Sequence, residues 1–175
     1  MDGLPKRKSN RLPQFDYGTV GAYFITICSR EKAKIFGRVV GGGVLDAPRT
    51  LPAPHGKIVI AQIESMTNFY PGLQIEKFVL MPNHIHLIVA VIQSPTGASR
   101  TPPLTVRANQ SIPAFVSTLK RMTNRAADTQ LWQRGYYDHI IRDQLDYDTI
   151  WRYIDDNPAK WHLDRFYIPE GEKHP

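Results

Sequence analysis

Hydrophobic runs of two kinds alternate along the chain. Residues 22–29 read AYFITICS, and this run of β-branched and aromatic side chains predicts a buried strand. Two further apolar runs cover residues 75–81 and 84–92, and the Pro-Asn pair between them predicts a hairpin or a sharply kinked pair of antiparallel strands. Residues 136–142, which read YYDHIIR, predict a fourth strand.

Helical spacing marks three other segments. Apolar positions recur at mixed helical spacings over residues 55–70, and a Pro-Gly pair then ends the pattern. A second helix is predicted from Ser111, which can act as its N-cap, because the apolar residues that follow recur three and four apart. Asp143, followed three residues later by Asp146, resembles a capping box that begins a last helix, and Pro158 ends it.

The order of these elements is strand, helix, strand, strand, helix, strand, helix. Together with the central hairpin it predicts an α+β class, a ferredoxin-like antiparallel sheet with helices packed on one face, in a single domain. We place this domain at residues 16–168, with a loop predicted over residues 41–54, where three glycines and three prolines cluster. Three segments outside the predicted elements are a flexible basic arm (1–15), a mobile loop rich in proline (93–110) and a tail (169–175).

Composition adds a moderate positive charge to this fold. The 175 residues carry 22 Lys and Arg against 16 Asp and Glu, which gives a formal charge of +6. Such a charge suits a protein that meets phosphates, although acidic substrates and membrane surfaces are also allowed. Cys28 is the only cysteine, which excludes an intrachain disulfide and a cysteine-based zinc site. With no signal peptide and no apolar run near the ~20 residues of a membrane span, we expect a cytoplasmic protein.

Paired histidines are the first candidate for chemistry. His84 and His86 flank Ile85 on a predicted strand, so both imidazoles lie on one face while Ile85 points to the other. Two imidazoles suit one metal ion, but further ligands must come from elsewhere in the fold. The alternative is a pair of histidines on the polar face of a half-exposed strand.

The last predicted helix carries an unusual polar face. Asp146, Ile150, Tyr153 and Asn157 are spaced four, three and four apart, so they lie on one side of the helix. A tyrosine hydroxyl with a pKa of about 10 is a nucleophile only toward a strongly polarised electrophile, such as a phosphodiester on a divalent ion. Asn157 can offer a carbonyl oxygen to such an ion, and because it precedes Pro158 we expect it at the helix C-terminus. The alternative for Tyr153 is an ordinary half-buried aromatic side chain between helix and sheet.

The order of these motifs resembles a known family. Residues 80–88 (LMPNHIHLI), then residues 131–139 (LWQRGYYDH), then a tyrosine ahead of Asn157-Pro158 are similar to the REP-associated tyrosine transposases, single-tyrosine members of the HUH nuclease superfamily. The resemblance covers residues 23–161. It implies that His84 and His86 bind a divalent metal ion, Mg or Mn, that Tyr153 is the catalytic nucleophile, and that Asn157 is the third metal ligand.

The resemblance also implies a DNA substrate and a reaction. Such enzymes cleave and rejoin single-stranded DNA beside a short hairpin by transesterification, through a 5′-phosphotyrosine intermediate. A catalytically silent DNA-binding protein of the same fold, a replication initiator or relaxase domain, and an unrelated metal-dependent hydrolase are the alternatives, and a monomer and a homodimer are both open. Trp132, Tyr136 and Tyr137 are candidates for base stacking, although Trp132 and one tyrosine fit a core position better, and His139 fits a structural position better than one in the site. The candidate DNA-binding cations are Lys6, Arg7, Lys8, Arg11, Lys120, Arg121, Arg125, Arg134 and Arg142.

Overall fold

The computed structural model describes residues 20–43, 46–92 and 111–169, and these residues form six strands and three α-helices. The basic arm, the loop 93–110 and all of the tail beyond residue 169 lie outside the described residues. The strands are β1 (Gly21–Cys28), β2 (Gly37–Val40), β3 (Arg49–Pro52), β4 (Leu73–Leu80), β5 (His84–Val91) and β6 (Tyr137–Ile141). The helices are α1 (Pro54–Ser65), α2 (Ser111–Ala127) and α3 (Gln144–Asp156).

Four of the strands form one antiparallel sheet in the order β4-β5-β1-β6. Every predicted strand is present, and the predicted α+β class with a ferredoxin-like antiparallel sheet is confirmed. Strand β5 lies inside the sheet and every one of its residues is buried. Its histidines therefore lie near the middle of the protein, which excludes the half-exposed strand considered as their alternative environment.

The sheet is covered on both faces. Alternate residues of β5, such as Ile85 and Leu87, pack in a core cluster with residues of α1 and α2. Ile88, on the other face of β5, packs with Ile150 and Ile154 of α3. Two helices thus share one face, as expected, and the third lies on the opposite face, unlike the prediction of helices on one face only. The reason is that Phe24 of β1 and Ile88 of β5 are apolar side chains on the face that α1 and α2 leave uncovered, so this face also needs cover.

A small second sheet pairs β2 with β3. The loop prediction over residues 41–54 missed β3, because a four-residue strand that ends in proline carries little strand signal. The first strand of this hairpin follows Phe36, whose side chain is fully buried against Trp132 of the main core. The hairpin is therefore anchored to the domain at its base.

Polar contacts fix α3 on its face of the sheet. The Asp143 side chain accepts a hydrogen bond from the backbone N–H of Asp146 at 2.9 Å, so the predicted N-cap is confirmed. Lys77 of β4 forms an ion pair with Asp155 at 2.7 Å, and the Tyr147 hydroxyl donates to Glu76, also on β4. These contacts hold the helix face that carries Tyr153 toward the sheet.

Among the described residues, no helix is long and apolar enough to cross a membrane.

Close packing of α1 against the chain before β2 gives a prediction for stability. A Cβ atom at Gly56 would lie 2.0 Å from the backbone oxygen of Phe36 and 2.9 Å from Leu80 Cδ2, and a backbone atom cannot give way as a flexible side chain can. We expect Gly56→Ala to lower the free energy of unfolding by about 3 kcal/mol in urea denaturation. Gly43→Ala is the control, since its Cβ would meet nothing within 4 Å, and equal loss in both variants would contradict the clash.

Candidate active site

Strand pairing places the two histidines in a polar row on the α3 face. His86 lies opposite Thr26 of β1, which in turn lies opposite Tyr137 of β6, so these three side chains share one face of the sheet. His84 lies two residues before His86 on β5, opposite Cys28 of β1. Both imidazoles are buried, and Phe24 stacks on the His86 ring at 5.1 Å between ring centroids. The prediction that the two histidines share a face is confirmed.

Asn83 determines which nitrogen of His84 carries the proton. The Asn83 amide group donates to the backbone oxygens of Lys32 and Phe166, at 3.1 and 2.8 Å, so its own oxygen must face His84. His84 Nδ1 lies 2.9 Å from that oxygen and therefore donates to it. In the neutral ring the other nitrogen, Nε2, keeps its lone pair, as metal ligation requires.

The two Nε2 atoms converge. His84 Nε2 and His86 Nε2 are 3.0 Å apart, and the Nδ1 atom of His86 is held by the Thr26 hydroxyl at 2.8 Å. Burial, opposed by Asp164 and supported by Arg165, lowers the pKa of His84 to about 4, and burial together with His84 holds the pKa of His86 well below its usual range. Both rings are therefore neutral near pH 7, with nitrogen ligands available at the same point.

Tyr153 reaches this point from α3. Its hydroxyl donates to Asp164 Oδ2 at 3.2 Å and lies 3.3 Å from His86 Nε2. The side chain is 40% exposed, so the hydroxyl is at the border between the buried cluster and solvent. Burial, reinforced by the Asp164 charge, raises the pKa of Tyr153 to about 12. Its oxygen thus needs help from its surroundings to become a nucleophile.

Two side-chain oxygens lie at the edge of this cluster. Asn157 is the C-cap of α3, as expected from Pro158, although its backbone remains in the α region. Its amide nitrogen donates to Asp164 Oδ2 at 3.3 Å, and its buried Oδ1 has no hydrogen-bond partner among the described residues. Asp164 Oδ2 also lies 3.9 Å from His84 Nε2, and the carboxylate is nearly fully buried.

This set of side chains fits a divalent cation. Ligand atoms of His84, His86 and Asp164 lie within 4.8 Å of one another, which is close enough to coordinate one ion. An unpartnered, buried amide oxygen beside them, from Asn157, is a group that a cation would satisfy. The two neutral imidazoles suit a transition-metal ion, and the carboxylate and amide oxygens suit Mg²⁺ or Mn²⁺, so the donor set is mixed.

Sequence reasoning missed several of the residues that build the site. Asp164, Arg165 and Phe166 follow α3 in a segment without regular periodicity, so no pattern placed them near the histidines. The Phe166 ring nevertheless lies 4.8 Å from the His84 ring, and Arg165 lies over the rings of Phe166 and Tyr137. Asn83 carried a signal that was available, because an amide next to a candidate ligand histidine can orient it.

The candidate DNA-binding cations do not all gather at this site. Arg121 and Arg125 are exposed on α2, which covers the opposite face of the sheet, while the Lys120 ammonium donates to the backbone oxygens of Gln133, at 2.9 Å, and Gly135. Arg134 and Arg142 are exposed at the two ends of β6. Lys6, Arg7, Lys8 and Arg11 lie outside the described residues.

Trp132 and Tyr137, both candidates for base stacking, lie in different places. Trp132 is in the core, where its indole N–H donates to Thr123 at 2.6 Å, in agreement with the core position that fitted it better. Tyr137 is 42% exposed on the face of the site. His139 is exposed beside it and hydrogen bonds to the Asp146 carboxylate at 2.8 Å, an arrangement different from a buried structural histidine.

Comparison with known proteins extends these findings. No family model matches the sequence. An uncharacterized protein of Haemophilus influenzae (strain Rd) is 33% identical over 181 residues, covering 95% of this chain and 96% of that protein. A second protein of that organism, named as a REP-associated tyrosine transposase, is 27% identical over 82 residues, 46% of this chain and 47% of its own. A solved structure of a REP-associated tyrosine transposase bound to a REP hairpin has the same fold, with a TM-score of 0.58 at 18% identity over 89% of this chain and 76% of that one.

Proposed function

The chain belongs to one family with the uncharacterized Haemophilus influenzae protein, and from this premise we propose that it is a metal-dependent transposase. It resembles the REP-associated tyrosine transposases in sequence and in fold, and in this proposal it cleaves and rejoins single-stranded DNA through a 5′-phosphotyrosine intermediate. Its substrate is DNA with a hairpin formed by a short palindrome, as in the solved relative bound to a REP hairpin. Such a substrate places the reaction in the cytoplasm.

One observation carries this proposal. The Tyr153 hydroxyl, partly exposed on α3, lies 3.3 Å from His86 Nε2, beside the ligand atoms of His84, His86 and Asp164 that lie within 4.8 Å of one another. A tyrosine that only filled the space between helix and sheet would not need its hydroxyl beside such a cluster. A pure DNA-binding protein would have no need of a buried Asn157 oxygen without a partner.

His84, His86 and Asn157 are the proposed metal ligands, and Asp164 adds a carboxylate at the same point. A divalent ion held there supplies Lewis-acid polarisation of the scissile phosphate. The Tyr153 oxygen attacks phosphorus in line, the new bond is Tyr153 O–P, and the bond that breaks joins phosphorus to the 3′ oxygen of the neighbouring nucleotide. Asp164, which accepts the Tyr153 hydrogen bond, is placed to take the proton as the oxygen attacks.

The phosphotyrosine bond conserves the energy of the cleaved phosphodiester bond. The 3′ oxygen takes a proton from water and leaves as a hydroxyl, and the 5′ phosphate stays on Tyr153. A 3′ hydroxyl of the same or another strand can later attack that phosphate and release the tyrosine, so cleavage and rejoining need no ATP.

Exposed cations near the site, Arg142 and Arg165, are placed to contact the DNA backbone, and the remaining candidate cations are proposed to bind DNA further from the cut.

A covalent adduct tests the function directly. Purified protein is incubated with labelled single-stranded hairpin oligonucleotides drawn from its own genomic neighbourhood, with Mg²⁺ or Mn²⁺. We expect a DNA-protein band that survives denaturant, disappears with protease and requires the metal ion. If hairpins bind and no such band forms with any of them, the protein is the catalytically silent binding protein instead.

Asn83 provides a test of how the metal ligands are held. Asn83→Ala removes the acceptor that orients His84 and leaves two buried backbone oxygens without their donor. We expect Mn²⁺ affinity, measured by isothermal titration calorimetry, to fall about 10- to 100-fold.

The control for this prediction is a second asparagine. Asn124 bonds the backbone N–H of Leu131 and the side chain of Gln130, away from the histidines, so Asn124→Ala should leave Mn²⁺ affinity unchanged. Unchanged affinity in Asn83→Ala would mean that His84 is oriented by packing alone, or that it is no ligand.

A further inference from the structure

Strand β4 departs from regular alternation at Glu76. Its register against β5 shifts between Ile75 and Lys77, so Glu76 is the extra residue of a β-bulge. Ile75 and Phe78 both pack with the core that α1 and α2 cover, although they lie three positions apart. Strict alternation counted from Ile75 would turn Lys77 toward that same core. The bulge places Lys77 opposite Ile88 instead, on the face that α3 covers.

Lys77 contacts α3 on both sides of the nucleophile. Its ammonium nitrogen lies 3.9 Å from the centre of the Trp151 ring and 2.7 Å from Asp155 Oδ1. The Lys77 side chain is only 15% exposed, so these two contacts replace most of the hydration that its charge loses. Residues 151 and 155 are about one helical turn apart, and Tyr153 lies between them. The ammonium group is therefore held at the turn of α3 that carries the reacting oxygen.

We propose that Lys77 is a positioning residue for the transposase reaction, which fixes the rotation of α3 about its axis and thereby the place of the Tyr153 hydroxyl. The inference rests on the proposed function and adds to it a residue outside the ligand cluster. Lys77 holds one flank of α3 from β4. From the other flank Tyr153 extends to Phe24 of β1 and His86 of β5. A helix held in this way has little freedom to turn.

A small rotation would move the tyrosine oxygen far. The Cα atoms of a helix lie about 2.3 Å from its axis, and a tyrosine oxygen lies roughly 8 Å from it, so a rotation of about 10° moves this oxygen by about 1 Å. The Tyr153 hydroxyl lies 3.3 Å from His86 Nε2 and 3.2 Å from Asp164 Oδ2, and such a shift would break both contacts. A misplacement of about 1 Å can cost a reaction about 100-fold in rate.

Other contacts of α3 control its rotation less well. Ile150 and Ile154 pack against the sheet, but burial of apolar surface has no preferred direction and tolerates a small rotation. The hydrogen bond from Tyr147 to Glu76 lies more than one helical turn before the nucleophile. Lys77 thus supplies a directional contact from the sheet at the level of the reacting oxygen.

The experiment separates rate from binding. Lys77→Met keeps the apolar stem and removes the ammonium group, and we expect adduct formation at saturating hairpin DNA and Mn²⁺ to slow about 10- to 100-fold. Hairpin affinity in EDTA and Mn²⁺ affinity should stay at the wild-type values. Lys77→Arg keeps a charge that also stacks on aromatic rings, so its rate should lie within about threefold of the wild type. Arg49→Met is the matched control, since it removes a strand cation that pairs with Asp46 at 2.5 Å on the second sheet.

Fluorine NMR reports the place of the tyrosine without any chemistry. 3-Fluorotyrosine is incorporated in place of Tyr153, whose ring lies 5.9 Å from that of Phe24 and 5.2 Å from that of His86. Ring currents make its resonance sensitive to a small displacement. We expect Lys77→Met to shift or broaden the resonance and Arg49→Met to leave it unchanged.

A second variant applies if Lys77→Met does not fold. The Asp155 carboxylate is 58% exposed, so Asp155→Asn leaves no buried charge on the helix. It should slow the adduct by a smaller factor than Lys77→Met and shift the same resonance. Added to Lys77→Met, it should cost nothing further, because both changes break one ion pair.

The outcomes distinguish this inference from the proposed function. A wild-type adduct rate with an unmoved resonance in Lys77→Met would overturn the inference, as would an equal loss in Arg49→Met or a loss explained by weaker hairpin or Mn²⁺ binding. No adduct in the wild-type protein would refute the catalytic proposal. A resonance that then still moves in Lys77→Met and Asp155→Asn, and not in Arg49→Met, would leave Lys77 as the residue that positions Tyr153.

Discussion

Replacing Tyr153 by phenylalanine is expected to abolish the covalent DNA-protein adduct completely, since the substitution removes the one oxygen that attacks phosphorus. The ring and its edge contact with Phe24, at 5.9 Å between centroids, are retained, so the helix should stay in place. Hairpin affinity measured in EDTA should therefore match that of the wild type. The adduct is quantified on denaturing gels with end-labelled oligonucleotide and Mn²⁺.

Tyr147 provides the matched control for that result. It lies on the same helix, but its hydroxyl donates to Glu76, and burial together with that carboxylate raises its pKa to about 12. The two tyrosines thus share a helix and a raised pKa and differ in what surrounds the oxygen. Tyr147→Phe should form the adduct at the wild-type level. An adduct in Tyr153→Phe would show that another tyrosine attacks the DNA, and loss of the adduct in Tyr147→Phe alone would name it.

Local periodicity explains how much of the site the sequence predicts. The alternation of a strand places His84 and His86 on one face, and helical spacing places Tyr153 and Asn157 on one side of α3. Both relations involve residues of a single element, and the structure agrees with both. That the two faces meet depends on the packing of α3 on the sheet, and the family resemblance, unlike the spacing, implied it.

Contacts between distant segments could not be predicted in this way. The row that joins His86, Thr26 and Tyr137 depends on the register of three strands, which the turns and the two faces determine together. Asp164 lies in a chain segment with no period, 80 positions after His84, so only the folded structure brings their side chains together.

The placement of α3 shows a second limit. A ferredoxin-like order of elements accounts for α1 and α2 on one face and gives no rule for a helix added after the last strand. The signal that was present lies in β1 and β5, where Phe24 and Ile88 are apolar on the face that α1 and α2 do not cover. An apolar residue on each of two central strands requires cover, and α3 is the element left to provide it.

Replacing His86, a proposed metal ligand, should have the second large effect. We expect His86→Gln to eliminate the adduct and to weaken Mn²⁺ binding by more than the roughly 10- to 100-fold that loss of an outer partner costs. The Nε2 atom of His86 lies 3.0 Å from that of His84 and 3.3 Å from the Tyr153 hydroxyl. The substitution therefore removes both a proposed metal ligand and a neighbour of the nucleophile. Calorimetry with Mn²⁺ and the gel assay measure the two effects.

Hairpin binding in EDTA separates this loss from unfolding, because a folded His86→Gln protein should bind the hairpin as the wild type does. The matched control is His162→Gln, whose histidine is exposed on the turn after α3 and outside the cluster. If His86→Gln binds Mn²⁺ normally and forms the adduct, the ion must be held by other residues, and the convergence of the two Nε2 atoms would then be a buried hydrogen bond between neutral imidazoles. If it binds Mn²⁺ normally and forms no adduct, His86 would instead act on Tyr153 directly, through the 3.3 Å contact between its Nε2 atom and the tyrosine hydroxyl.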